Sequence, residues 1–280
     1  MKILVIEKYT GLELVTRNGQ RNKISVQHLH ELQGHQDEHN ATKELLVQTL
    51  TELCFSFSFI KDDINFEDQC LAYDLIISLG GDGTFLHAVA NSCQQMLMGI
   101  NSDLTRSHGY LTKFDRTNLV QALHKVKEGK AHFGFLQRLA VSLNGTLQKY
   151  FALNEVFIGN PHIYETSHLS VQTPKEKAHV ISNGILIATQ QGSTAFYKSA
   201  GGKAFEEDTL AYTLVLPFKK RSSLEDSAIL QAKESIVVKP NRQGYKLLFD
   251  CNKKREIDLA QDDEVKVFID KEKEVKVLLP

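Results

Sequence analysis

Residues 73–84 read Tyr73-Asp74-Leu75-Ile76-Ile77-Ser78-Leu79-Gly80-Gly81-Asp82-Gly83-Thr84, an apolar strand running straight into a glycine turn, and a helix-like segment follows from Phe85 to Ala90. Such a turn lets backbone N–H groups converge on a phosphate, because glycine permits close approach and positive φ. The start of the following helix adds its own free N–H groups and the positive end of its dipole. A carboxylate in the middle of that anion site needs a second reason. Asp82 repels a phosphate unless it binds Mg²⁺ or accepts a proton from a substrate hydroxyl, so the combination points to phosphoryl transfer.

Around this turn the chain reads as an open α/β sheet. Lys2 to Ile6 is a continuous apolar run, as expected of a strand buried on both faces. Residues 7–35 read as irregular and polar. Ala41 to Leu53 carries Leu46, Leu50 and Leu53 at helical spacing, with Asn40 as its N-cap. Cys54 to Ile60 and Leu75 to Leu79 are further strands, Ala88 to Met98 continues as helix, and Leu97 to Ile100 is a fourth strand. In such sheets ligands sit at the carboxyl ends of the strands, where Gly80 to Thr84 lies. After Phe114 the texture changes. A helix over Leu119 to Val126 precedes short β-rich runs at 133–143, 147–158, 168–173, 184–189, 210–216, 228–238, 245–250 and 264–279, spaced like packed antiparallel sheets. The expected organisation is an α/β domain with an open, mostly parallel sheet at 1–115 and a β-rich domain at 116–280, the last run packing back on either one.

Composition narrows the class. At 280 residues, 42% hydrophobic and 24% charged, the chain has the make-up of an ordinary globular protein with room for two domains. A net charge of −1 gives no electrostatic reason to expect nucleic acid or a membrane surface as partner. Cys54, Cys70, Cys93 and Cys251 form no CxxC pair and read as reduced, mostly buried thiols. The N-terminus lacks the features of a signal peptide, and no run reaches the ~18 apolar residues of a membrane span. The expected location is the cytoplasm. His28, His30, His35 and His39 lie in polar surroundings without the Cys or carboxylate pattern of a metal site, so no protein-held metal is expected.

Three motifs in order resemble the NAD kinase family: Gly80-Gly81-Asp82-Gly83-Thr84; Ala152-Leu153-Asn154-Glu155-Val156; and Ser182-Asn183-Gly184 followed by Gly192-Ser193-Thr194-Ala195-Phe196 and Ser199-Ala200-Gly201-Gly202. The resemblance covers most of the chain, weakly before residue 60 and after residue 205. The long loop Asn101 to Leu111 is similar to that of the mitochondrial-type NAD kinases. The resemblance implies transfer of phosphate from ATP (or polyphosphate) to the 2′-hydroxyl of the adenosine ribose of NAD, giving NADP. It also implies an NAD kinase-like two-domain fold with the active site in a cleft, Mg²⁺ accompanying ATP, and a homodimer or tetramer.

By the same resemblance Asp82 is the base that takes the ribose proton, and the nucleotide diphosphate lies on the amides of Gly81, Asp82, Gly83 and Thr84. A capping Asp in a tight turn is the alternative for Asp82. Asn154 and Glu155 interrupt an apolar strand, so one of them should point into the sheet or a cleft, where an adenine edge supplies donor and acceptor; a turn satisfied by backbone is the alternative. Thr194, Ala195, Phe196 and Ser199 would line the NAD pocket, with Ser193 or Thr194 otherwise capping a helix. Asn101 and His87 complete the expected nucleotide contacts. Asn183 stands where most members have Asp, Phe196 replaces a common tyrosine, and Gln190-Gln191 stands where Pro-Thr is usual. Arg106 either reaches a phosphate or pairs with Asp103, and Lys219, Lys220 and Arg221 form either a phosphate-facing patch or a solvated loop.

Two other classes remain open at this point: a non-catalytic NAD(P)-binding sensor, and a lipid or small-molecule kinase sharing the Gly-Gly-Asp-Gly turn. The Gly192–Phe196 run argues for the nucleotide substrate, as does the lack of a basic amphipathic segment for membrane docking.

Overall fold

The computed structural model describes residues 1–106, 109–162, 164–218 and 224–280. It resolves into two units, Met1–Phe135 with Val275–Pro280, and Leu136–Glu274. The change of unit thus falls at 135/136 rather than near 115, and the C-terminal strand belongs to the first unit. The physical reason is that helix Leu119–Lys127 buries Leu119, Ala122, Leu123 and Val126 in the same core as the first strands.

The first unit is the α/β domain. Its strands are β1 (Lys2–Glu7), β2 (Ser56–Lys61), β3 (Leu75–Gly80), β4 (Met96–Asn101), β5 (Phe133–Leu136) and β18 (Val275–Leu278), in the order β2-β1-β3-β4-β18-β5. The pairs β1–β2, β1–β3, β3–β4 and β4–β18 are parallel. Every residue of β3 is buried, which is why its sequence is an unbroken apolar run apart from Ser78. Its helices are α1 (Gly11–Arg17), α2 (Val26–Glu52), α3 (Asp82–Asn91) and α4 (Leu119–Lys127).

Two expectations change here. Residues 7–35 are largely helical, not irregular. A capping box opens α1: Thr10 Oγ1 accepts the Glu13 amide at 3.2 Å, and Glu13 Oε2 accepts the Thr10 amide at 2.7 Å. Helix α2 begins at Val26 with Ser25 as its cap, well before Asn40, because its buried stripe of Leu32, His39, Thr42, Leu46, Thr49 and Leu50 includes polar side chains that an apolar pattern does not register. Helix α3 stops at Asn91, where Ser92 Oγ donates to the Val89 carbonyl at 2.9 Å, so Met96 to Met98 are strand and not helix.

The second unit holds two six-stranded sheets whose strand pairs, among the described residues, are antiparallel. One contains β6 (Leu139–Leu143), β7 (Thr146–Ala152), β9 (Ser167–Gln172), β10 (Lys177–Ser182), β14 (Ser235–Pro240) and β17 (Val265–Ile269), ordered β10-β9-β14-β17-β6-β7. The other contains β8 (Glu155–Gly159), β11 (Gly184–Ala188), β12 (Leu210–Val215), β13 (Ser227–Leu230), β15 (Tyr245–Phe249) and β16 (Glu256–Leu259), ordered β13-β12-β11-β8-β15-β16. Inward residues of both sheets, among them Val156, Ile158, Ile185, Leu169, Val171 and Val267, share one core. The fold class is an α/β domain with a mostly parallel sheet followed by an all-β domain of antiparallel sheets.

Among the cysteines only Cys70 is buried. Cys54, Cys93 and Cys251 are exposed because each lies just past the end of an element: α2, α3 and β15. No helix among the described residues is long and apolar enough to cross a membrane.

Candidate functional site

In the first unit, β3 delivers Gly80 into the turn and α3 starts at Asp82. A Cβ on Gly80 would lie 2.4 Å from Thr84 Oγ1, so glycine is required there for close packing. The expected positive φ is not used: none of Gly80, Gly81 and Gly83 is among the positive-φ glycines, and Gly81 is extended with φ −104°. A Cβ on Gly81 or Gly83 would meet nothing within 4 Å, so the backbone at these two residues borders open space. The Thr84 and Phe85 amides donate to the Gly81 carbonyl. The amides of Asp82 and Gly83 belong to the first turn, where an α-helix offers no acceptor of its own.

Asp82 does not cap its own helix. Its Oδ1 accepts the amides of Leu111 and Thr112 at 2.9 and 3.1 Å and the Thr112 hydroxyl at 3.3 Å, while among the described residues Oδ2 accepts only the Tyr110 amide, at 2.8 Å. Oδ1 is therefore saturated, and Oδ2 keeps a lone pair. Thr84 Oγ1 donates to Asp62 Oδ2 at 3.2 Å. His87 does not turn to the glycine loop: its Nε2 lies 3.0 Å from the Ile64 carbonyl and its ring packs edge-on against Phe66. Asn101 is buried at the end of β4, where its Oδ1 accepts the Asp103 amide at 3.1 Å. Asp103 accepts the Thr105 amide and hydroxyl and sits 2.9 Å from His35 Nδ1, so Thr105 and His35 are its immediate partners rather than Arg106.

Sequence reasoning missed Lys8. It follows β1, its Cβ stands 3.1 Å from the position of a Gly80 Cβ, and burial lowers its ammonium pKa, helped by the charge of Arg106 and opposed by Asp103 and Asp62. A lone Lys after a strand carries no signal of this.

In the second unit, Asn154 and Glu155 are buried where β7 ends and β8 begins. Asp250, another residue missed from the sequence, holds this corner. Its Oδ1 accepts the amides of Asn154 and Glu155 at 2.7 and 3.3 Å, and its Oδ2 accepts that of Leu153 at 3.0 Å. Asp250 and Cys251 both take positive φ, 49° and 50°, to turn the carboxylate back. Gly192 packs against the same corner: a Cβ there would come within 2.0 Å of the Asn154 carbonyl oxygen, so only glycine fits. The Asn-Glu and Gly-Ser-Thr-Ala motifs are thus one packed structure.

Burial raises the Glu155 carboxyl to about 8, and the nearby Asp250 charge adds to this against a hydrogen bond from the Cys251 thiol. Burial also raises Asp250, to about 6, with the three amides and Arg255 opposing. At neutral pH Asp250 is the ionised member and Glu155 the neutral one. Asn154 Oδ1 and Glu155 Oε2 are buried and have no hydrogen-bond partner among the described residues, an arrangement that proteins rarely leave without a ligand.

Beside this corner lies a cavity of about 460 Å³, lined by Phe157, Asn183, Phe196, Ser199, Leu248 and Cys251 among others, a volume typical of small-molecule sites. Of the expected residues it brings together Asn183, Phe196 and Ser199. Asn154, Glu155, Thr194 and Ala195 are outside its lining. Asn183 Nδ2 donates to the carbonyls of His162 and Glu165 at 2.9 and 3.1 Å. Neither Ser193 nor Thr194 caps α5 (Phe196–Ser199): Ser193 Oγ bonds the Phe205 backbone, and Thr194 Oγ1 donates to the Gln191 carbonyl. Lys219, Lys220 and Arg221 lie outside the described residues. No group of three or more His, Cys, Asp or Glu among the described residues is arranged to hold a metal ion.

The family model of the ATP-NAD kinase C-terminal domain matches residues 153–278. A probable NADH kinase of Oryza sativa subsp. japonica is 32% identical over 199 residues, 61% of this chain and 61% of the rice protein; the chain thus spans about three fifths of that relative. An NAD kinase of Methanothermobacter thermautotrophicus is 30% identical over 197 residues, covering 69% of this chain and 67% of that protein.

The chain belongs to the NAD kinase family.

Family membership agrees with the fold. An NAD kinase from Archaeoglobus fulgidus, solved in complex with ATP, superimposes with a TM-score of 0.74 at 18% identity, covering 100% of this chain and 94% of that one. Yeast NADH kinase complexed with NADH gives 0.73 at 20% identity, covering 100% and 83%. At such identities the likeness speaks for the shared NAD kinase fold.

Proposed function

We propose that the protein transfers the terminal phosphoryl group of ATP to the 2′-hydroxyl of the adenosine ribose of NAD, with Asp82 as general base. The observation that carries this reading is the unequal state of the Asp82 oxygens: Oδ1 is saturated by the 111–112 segment while Oδ2 retains a lone pair. A carboxylate held so firmly presents one oxygen to a hydroxyl proton in fixed orientation. The Asp82 and Gly83 amides, bordering open space at the start of α3, offer donors for a diphosphate. Mg²⁺ enters with ATP, where it offsets phosphate charge.

In the second unit the neutral Glu155 suits an adenosine. An ionised carboxylate there would repel the phosphates, whereas a protonated one donates and accepts at once. With Asn154 Oδ1 beside it, the pair offers a mixed donor and acceptor edge to a base or ribose. Thr194, Ala195 and Asn101 remain nucleotide contacts in this reading on family resemblance alone, and His87 only through its place one helical turn past Thr84. So do the homo-oligomeric state and the mitochondrial-type branch, the latter suggested by the long 101–111 loop. The scattered cysteines support a reducing, cytoplasmic setting.

The test is NADP formation from NAD and Mg-ATP by wild type and Asp82→Asn, with NADH and polyphosphate run in parallel. Loss of a general base predicts a fall of ~100-fold or more with NAD binding retained. Wild-type protein that binds NAD but never turns it over would leave a sensor, and phosphorylation of a lipid alone would leave the third class.

A further inference from the structure

The first unit holds a pair of thiols that the nucleotide chemistry does not use. Cys70 Sγ and Cys93 Sγ are 2.7 Å apart. That gap is only about 0.7 Å wider than an S–S bond, and well inside the ~3.5–4 Å at which unbonded carbons meet. Cys70 is buried in the short 3₁₀ helix Glu67–Ala72 that precedes β3. Cys93 is exposed in the loop after α3, where its amide donates to Gln95 Oε1 at 3.0 Å. That short helix reaches the surface, since Leu71, next to Cys70, is 75% exposed. The two cysteines therefore stand at the two ends of the segment that contains β3, the glycine turn and α3, and one of them is open to solvent. The other two lie apart: Cys54 just beyond α2, and Cys251 against Glu155 in the second unit.

We propose that Cys70 and Cys93 are a reversible oxidation site that closes to a disulfide in response to a low-molecular-weight disulfide such as oxidised glutathione. The exposed Cys93 thiolate attacks one sulfur of the oxidant; that S–S bond breaks, one glutathione thiolate leaves, and a mixed disulfide remains on Cys93. Cys70 then gives its proton to solvent and attacks Cys93 Sγ, which breaks the mixed disulfide and releases the second glutathione. Two protein thiols are oxidised by two electrons, one oxidised glutathione is reduced to two thiols, and the two protons end on the released glutathiones. The order follows from the surroundings. Burial, together with the Cys93 thiol, raises the Cys70 thiol to about 11, so it is a poor first nucleophile and acts second, where its position beside Cys93 replaces diffusion. The link closes a loop around the glycine turn and restrains opening of that segment. In a reducing compartment such pairs are transient and respond to the glutathione poise.

The test needs no substitution. Full-length protein equilibrated with reduced or oxidised glutathione is alkylated and digested without reductant. The expected product is a pair of peptides joined through Cys70 and Cys93, about 2 Da lighter than the two thiol peptides together and separated again by dithiothreitol. A Cys54→Ser, Cys251→Ser double variant is expected to give the same product. Full alkylation of Cys70 under oxidised glutathione, or glutathione retained on Cys93 with Cys70 still free, overturns the proposal.

Discussion

Asp250 Oδ1 accepts the Asn154 amide at 2.7 Å, and the Asp250 amide donates in return to the Glu155 carbonyl at 2.9 Å. The exchange ties the left-handed turn after β15 to the corner between β7 and β8, and so fixes the direction of both motif side chains. Asp250→Ala strands three amides, of which the Leu153 and Asn154 bonds are the short ones. A buried donor left unmet costs about 1–3 kcal/mol. The expected loss is on the order of 3 kcal/mol in urea unfolding of the second unit, with weaker nucleotide binding. Asp250→Asn keeps one acceptor oxygen and should lose less; equal losses in the two variants would show that the charge, not the acceptor geometry, holds the corner.

The same corner sets a pH dependence. Glu155 titrates at about 8 in the folded protein against an ordinary value of 4.5, so between these values the folded state binds a proton that the unfolded state has released. Stability from this group is therefore fully present below pH 4.5 and lost as pH rises towards 8. Asp250, raised to about 6 from 3.8, acts in the same direction over a lower window. Glu155→Gln keeps the neutral shape and removes the titration. Its urea midpoint, relative to wild type, should improve steadily from pH 5 to pH 8. A constant difference across that range would mean that Glu155 is ionised in the fold.

Glu7 gives the opposite case in the first unit. Burial alone would raise its pKa, but hydrogen bonds from His39 and Lys43 and the charge of Lys61 outweigh burial and bring it to about 2 from 4.5. His39, itself buried, spans from Glu7 Oε1 at 3.1 Å to Ser102 Oγ at 2.8 Å, and the Ser102 amide donates to the Gly80 carbonyl at 3.1 Å. Stability from Glu7 is present above pH 4.5 and lost as pH falls towards 2. Glu7→Gln is expected to cost on the order of 3 kcal/mol at pH 7 and to flatten the acid limb of unfolding below pH 4.5. An unchanged acid limb would remove Glu7 as its source.

How much of this was legible depended on what each element buries. The run Leu75 to Gly83 was readable because β3 is covered on both faces and its residues are almost all apolar. Helix α2 was readable only over its second half, since His39, Thr42 and Thr49 occupy buried positions where the pattern looks for Leu. Strand β10 escaped notice because exposed Lys177 and His179 alternate with Ala178 and Val180, next to a turn rich in charge. The motif residues were found, but not what supports them. Asp250 lies almost a hundred residues beyond Asn154 and meets it only through sheet pairing of β15 with β8, a relation that no local spacing records.

Gly83 separates structure from chemistry. It is the second residue of α3 and a Cβ there meets nothing within 4 Å, so Gly83→Ala introduces no clash. Alanine is also a better helix former than glycine by up to about 1 kcal/mol, so the melting temperature should hold or rise by a few degrees. The same methyl occupies the open space beside the Gly83 amide, which the proposed reaction gives to the nucleotide diphosphate. Steady-state rates of NADP formation should then fall at least ~10-fold, mainly through transition-state contacts to the phosphate. Gly192→Ala provides the contrast: its Cβ collides with the Asn154 carbonyl, so stability and activity fall together. A Gly83→Ala protein with full activity would show that the phosphate does not rest on the start of α3.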